Sequence, residues 1–301
     1  MLTGLAAAGA TTALPHLRSV AGTTAATSHI ATNTYPWLTF ARRAEREFAL
    51  HSEQLLRDIA QAGITGYEPI INTPQEFSGL AARLETHGLL MKSIYVNSVL
   101  HDTETEDESS ANVLRIATEA KKLGTKIVVT NPSPIRWGGP EDKSDEQLLL
   151  QAKSLDALGA ELRKIGVTLA YHNHDAELRQ GAREFHHMLT ATDPENVKFC
   201  LDAHWIYRGC GNSEVAVFDA LSLYCDRIVE LHLRQSSGGT WTEAFSMQGD
   251  VDYERLFEFL DKKKIAPHLC LEQAVESASP NTMTALAAHR KGNENLSQAR
   301  A

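Results

Sequence analysis

From residue 29 onward the chain alternates short runs of β-type residues with longer segments of helical spacing, and it does so eight times. Strands are predicted over 29–34, 66–71, 90–97, 126–131, 167–173, 197–201, 228–233 and 269–273. Helices are predicted over 51–62, 73–86, 109–123, 145–165, 182–191, 213–225, 252–264 and 281–289. In the first of them Leu55, Leu56, Ile59 and Ala60 share an apolar face, and Gly63 ends the helix. Eight β/α units in about 260 residues is the repeat number at which a parallel sheet closes and loses its edges. The predicted fold is therefore an α/β (β/α)₈ TIM barrel with a closed parallel sheet, residues 28–301 forming one domain. An open doubly wound sheet would carry a Gly-rich phosphate turn after its first strand, and this sequence has none there.

Residues 1–27 differ from the rest: 2–15 is uncharged and rich in Ala, Gly, Thr and Leu, and Ser/Thr/Ala-rich sequence follows. The segment reads either as a truncated twin-arginine-like export signal or as a disordered extension. The first reading makes the protein exported or periplasmic, the second cytoplasmic. No later stretch reaches about 18 uncharged apolar residues, so no stable membrane insertion is expected. A formal net charge of −9 argues against nucleic acid as a partner. The four cysteines show no CxxC spacing, and Cys200 and Cys270 lie in apolar strand runs as small buried hydrophobes. Homo-oligomerisation is left open.

Polar residues at the C-terminal ends of barrel strands converge above the core, where the chemistry of such folds sits. Strand five ends Leu-Ala-Tyr-His-Asn-His (169–174), strand six Phe-Cys-Leu-Asp-Ala-His (199–204), strand seven Glu-Leu-His-Leu-Arg (230–234) and strand eight Cys-Leu-Glu-Gln (270–273). A metal-capable side chain thus directly follows an apolar residue on each of four successive strands. A His/Asp/His/Glu set suits Mn²⁺, and also Co²⁺, Zn²⁺, Fe²⁺ or Mg²⁺, since it mixes imidazole with hard carboxylate oxygen.

The segments Tyr171-His172-Asn173-His174-Asp175-Ala176-Glu177-Leu178, Leu201-Asp202-Ala203-His204-Trp205, Leu231-His232-Leu233-Arg234 and Leu271-Glu272-Gln273 resemble the xylose isomerase-like TIM-barrel superfamily. Within it they are similar to sugar phosphate isomerases/epimerases, with inosose dehydratase among their relatives. Trp241-Thr242-Glu243 and Gly249-Asp250-Val251-Asp252-Tyr253 fit the loop after strand seven. The resemblance implies one metal ligand on each of strands five to eight: His172, Asp202, His232 and Glu272. Many members carry glutamate where this chain has His172. His174 competes for that role, because strand alternation puts both on one face. Members commonly read His-Leu-Lys-Asp where this chain reads His232-Leu233-Arg234-Gln235.

The implied reaction moves a proton beside the carbonyl of a small-molecule carbohydrate through a metal-stabilised enediolate. Glu272 is the candidate base, and His172 a candidate acid or base. A histidine that protonates a leaving oxygen turns enolisation into β-elimination, so a keto-sugar dehydratase or lyase is the alternative. A non-catalytic carbohydrate-binding barrel is the third reading. Candidate substrate contacts are Glu68, His174, His204, Trp205, Arg208 and Arg234, with Glu68 also open to a structural ion pair. Residues 131–140, with Trp137, are expected as a loop over the pocket. The acidic run 102–110 is expected as a solvated loop, and His186-His187 as helix surface or packing.

Overall fold

The computed structural model describes residues 29–300, so the leader-like stretch over 1–27 lies outside them. Eight parallel strands form one sheet: β1 (Ile30–Asn33), β2 (Gly66–Glu68), β3 (Ser93–Tyr95), β4 (Ile127–Thr130), β5 (Thr168–His172), β6 (Val197–Asp202), β7 (Ile228–Leu233) and β10 (His268–Leu271). Between the last two an antiparallel hairpin pairs β8 (Ser236–Ser237) with β9 (Thr240–Trp241). The strands follow one another as β2-β1-β10-β7-β6-β5-β4-β3, and isolated parallel bridges Gly66–Leu90 and Ile70–Tyr95 join the two ends. The protein is a TIM barrel, as the alternation predicts.

Strand alternation sorts the side chains into two cores. Val128, Leu169, Tyr171, Phe199, Leu201 and Leu231 pack outward against helix residues such as Val113, Leu155, Met188 and Leu221. Tyr95, Val129, Ala170 and Cys200, each one residue out of step, form a small cluster inside the cylinder. Two residues beyond Ala170 and Cys200 come His172 and Asp202, which therefore also point inward, as His232 does two beyond Glu230. The direction of the site is set by this two-residue period.

The helices are α1 (Thr34–Arg43), α2 (Glu53–Gln61), α3 (Leu80–Thr86), α4 (Glu106–Lys122), α5 (Asp145–Lys164), α6 (Arg179–Thr190), α7 (Ala203–Gly209), α8 (Glu214–Tyr224), α9 (Tyr253–Lys263) and α10 (Ala285–Ala299). Three expectations need correction. The helix over 73–86 is split: Pro74 opens a 3₁₀ turn (Pro74–Phe77), and Gly79 at φ +67° separates it from α3. Much of the acidic run is not a loop, because Glu106, Asp107 and Glu108 form the first turn of α4, where carboxylates favour the helix dipole. The last helix starts at Ala285 rather than 281, capped by Thr284. Helices α1 and α7 were not expected. Asn33 and Asp202 cap them, accepting from the amides of Tyr35 and Trp205. Among the described residues no helix is long and apolar enough to cross a membrane.

One packing contact carries a pH dependence. The His289 ring stacks on Trp37 with centroids 3.8 Å apart, and its Nδ1 lies 2.7 Å from the Ala285 carbonyl oxygen. Burial lowers its pKa to about 4. The unfolded chain takes up this proton near pH 6.5 while the folded one resists until about 4. The contribution is therefore complete above pH 6.5 and is lost as pH falls through that window, about 3 kcal/mol in all. Urea unfolding at pH 7 and pH 4 checks this: H289F is expected to lose less stability on acidification than the parent protein, by up to that amount.

Candidate metal centre and pocket

His172 ends β5, Asp202 ends β6, His232 lies one residue before the end of β7, and Glu272 directly follows β10. Each offers a ligand atom within 4.8 Å of the others, and all four are buried. His172 Nε2 is 3.8 Å from Asp202 Oδ2 and 3.9 Å from Glu272 Oε2, and His232 Nδ1 is 3.3 Å from Glu272 Oε2. His174 is outside this donor group and forms part of the pocket wall instead. Asp202 Oδ2 and both ring nitrogens of His172 are buried without hydrogen-bond partners. Such atoms are costly unless something pairs with them, and a divalent cation suits two imidazoles and two carboxylates.

Amide side chains clasp the strand ends together. Asn131 Nδ2 donates to the His172 carbonyl oxygen at 2.9 Å. Asn173 Nδ2 donates to the Asp202 carbonyl at 3.0 Å, and its Oδ1 accepts from the Asp202 amide at 3.2 Å. Gln273 Oε1 accepts from the Gln235 amide at 2.7 Å, while Gln273 Nε2 donates to the Gln235 carbonyl at 3.2 Å. The ligand-bearing backbones are thus held by bonds that leave the ligand side chains free.

Burial opposes charge on Glu272, but His232 and Arg234 hold its carboxyl below the usual range. Arg234 donates to Glu272 Oε2 at 2.9 Å and lies between Trp205 and Trp241, its guanidinium carbon 4.7 and 4.4 Å from their ring centroids. Burial raises Asp202 to about 7, with Arg234 opposing and Glu272 adding to the shift. His172 is pushed well below the ordinary histidine value by burial and by the neighbouring His232 ring, which suits a neutral ligand. Burial also opposes charge on His232, yet Cys200, Glu68 and Glu272 raise it well above that value.

Above the donors a cavity of about 450 Å³ is lined by Tyr95, Trp137, His174, Trp205, Arg234 and Glu272, among others. Residues Trp137 and Gly138 come from the loop predicted to cover it. Burial lowers His174 to about 3 and leaves its Nδ1 without a partner. A cavity of the same volume, lined by His29, Lys92, Lys126 and His268, lies where the strands begin and contains none of the donor group. The first cavity, which shares Glu272 with the donor group, is therefore the candidate site.

Of the candidate substrate contacts, His174, Trp205 and Arg234 line this pocket, whereas Glu68, His204 and Arg208 do not. His204 Nε2 lies 2.8 Å from Ser236 Oγ. Arg208 pairs with Glu276 at 2.7 Å and donates to the Gly239 carbonyl at 2.8 Å. These two residues sit four apart on α7 and share a face, which turns to the β8–β9 hairpin while Trp205 turns to the cavity. Glu68 is buried inside the barrel, where its Oε1 accepts from Asn33 Nδ2 at 2.5 Å. Gln235 donates to the carbonyls of Ser246 and Val251 at 3.2 and 2.8 Å and so braces the loop before α9. Tyr95 and Asn33 also line the pocket and were not singled out. Asn33 carried a signal, as a polar residue ending a strand.

The sequence profile of the xylose isomerase-like TIM barrel matches residues 56–293. The chain belongs to this family. An inosose dehydratase from Clostridium perfringens is 24% identical over 259 residues, covering 77% of this chain and 85% of that protein. The crystal structure of a sugar phosphate isomerase/epimerase from Parabacteroides distasonis superposes with a TM-score of 0.70 at 17% identity, covering 94% of this chain and 98% of that one. A xylose isomerase-like TIM-barrel protein from Mycobacterium smegmatis, solved with magnesium, gives 0.65 at 15% identity, covering 91% and 96%. The fold is common ground with the two solved structures, one of which was solved with magnesium.

Proposed function

We propose that this member of the family is a metal-dependent enzyme that removes a proton beside the carbonyl of a sugar and, through an enediolate, yields an isomer or epimer. The observation that carries this reading is the convergence of four buried donor atoms beneath a cavity, with Glu272 belonging to both. His172, Asp202, His232 and Glu272 would hold the ion, with Mn²⁺ the first choice and Co²⁺, Zn²⁺, Fe²⁺ or Mg²⁺ also suited to this donor set. When bound, it supplies Lewis-acid stabilisation of charge developing on substrate oxygens, worth several kcal/mol.

Glu272 is the proton acceptor, since Arg234 and His232 keep it ionised despite its burial. His174, neutral and part of the cavity wall, is the group placed to exchange a second proton with substrate. Trp205 offers an apolar face for a sugar ring, and Trp137 shields the cavity from water.

A second reading, β-elimination from a keto-sugar, is favoured by His172 standing where relatives commonly have glutamate. The pair of carboxylates used for symmetrical proton exchange is then incomplete. The dehydratase relative agrees with this reading. Incubation with Mn²⁺ and a 3-keto-glycoside or ketohexose in D₂O separates the outcomes. Deuterium at a retained carbon with no group lost is the expected result, while release of water or aglycone selects elimination. Neither product, with no Mn²⁺ retained by the purified chain, overturns both readings and leaves a carbohydrate-binding barrel.

A further inference from the structure

The donor group has a neighbour inside the barrel that the proposed chemistry does not use. Glu68, Glu230, His232 and Cys270 bring one ligand-type atom each within 4.8 Å of the others, and all are buried. His232 belongs to both groups. Its Nδ1 is 3.3 Å from Glu272 Oε2, and its Nε2 is 3.1 Å from Glu68 Oε1. Glu68 reaches it from β2, separated from β7 by β1 and β10. Asn33 Nδ2 fixes the Glu68 carboxylate from one side at 2.5 Å. Glu230, two residues before His232 on the same strand face, accepts from Ser93 Oγ at 2.9 Å.

A neutral imidazole carries one N–H and one lone pair, and only the lone pair binds a cation. Glu68, 3.1 Å from Nε2 but not aligned with it as a hydrogen bond, stabilises a proton there electrostatically and so favours a bare Nδ1 toward the donor group. Glu68 has no place in the cavity lining, so it acts on the site only through the residues it touches: His232 in the donor group and Asn33 in the pocket wall. We infer that Glu68 is a positioning residue of the metal centre, one that sets which nitrogen of His232 faces the ion. The inference rests on the metal reading above.

Titration of the full-length protein with Co²⁺, followed by calorimetry and by the visible d–d bands, tests it. The parent protein is expected to bind one equivalent. E68Q keeps the shape and one acceptor oxygen and is expected to bind about tenfold more weakly; E68A, which keeps neither, about 100-fold more weakly. Both are expected to shift the d–d bands. Proton–nitrogen NMR of ¹⁵N-histidine protein is expected to place the His232 proton on Nε2 in the Zn²⁺-loaded parent. If E68A does not fold, E68Q decides, because its side chain is nearly isosteric. Unchanged affinity in E68Q with the parent binding one ion overturns the positioning role and leaves the metal reading intact. A parent protein that binds no Co²⁺ overturns both. Two equivalents in the parent, with one lost in E68Q, also overturns the inference, because the inner group is then itself a second metal centre.

Discussion

Glutamine in place of Glu272 is expected to cut turnover about 10³-fold at saturating Mn²⁺, with the fold intact. The carboxylate is asked to do two things, to bind the ion and to accept the substrate proton, and an amide does the first poorly and the second not at all. Its charge is stabilised by the Arg234 contact at 2.9 Å, so the variant also leaves the buried guanidinium with less to pair with. Single-turnover kinetics at a range of Mn²⁺ concentrations separates the roles. A deficit that vanishes as Mn²⁺ rises means that Glu272 is only a ligand, and the base must then be sought elsewhere in the cavity, first at His174.

Replacing Arg234 by methionine is expected to lower the melting temperature by about 6–20 °C. Removing one partner of a buried ion pair costs about 3–5 kcal/mol, and a chain of this size loses roughly 2–4 °C per kcal/mol. Arg234 is 1% exposed, and its Nε also donates to the Glu272 carbonyl at 3.1 Å, so both the side chain and the backbone of residue 272 lose a partner. Lysine keeps the charge but neither the fork nor the stacking between Trp205 and Trp241, and R234K should fall between the two. A melting point for R234M within 2 °C of the parent, measured by calorimetry on metal-free protein, would show that the guanidinium does not hold the site together.

The barrel and the four donor positions were legible because both follow from a period of two. A polar residue directly after an apolar one, repeated at four strand ends, places those polar groups on the inner face whatever the loops do. The same rule applied one step further back would have found Glu230, which shares a face with His232 in the run Glu-Leu-His. Glu68 could not be assigned in this way, because its partner comes from a strand distant in sequence and only barrel closure brings them to 3.1 Å. Helix α1 was hidden by Thr34, Pro36, Trp37 and Thr39, residues whose local preferences do not speak for a helix interior, and its burial against β1 and α10 decides the matter. His204 and Arg208 misled because a seven-residue helix turns adjacent side chains to different surroundings, which a motif read as a string does not convey.

The amide clasps at the strand ends bear on how this scaffold tolerates change. Asn131, Asn173 and Gln273 fasten backbone to backbone at the strand ends. Lengthening or exchanging the segments above them alters what the mouth of the cylinder admits without retuning the atoms at its base. Selection for a new sugar can therefore act on entrance and grip separately from reactivity, so long as those three carboxamides stay in place.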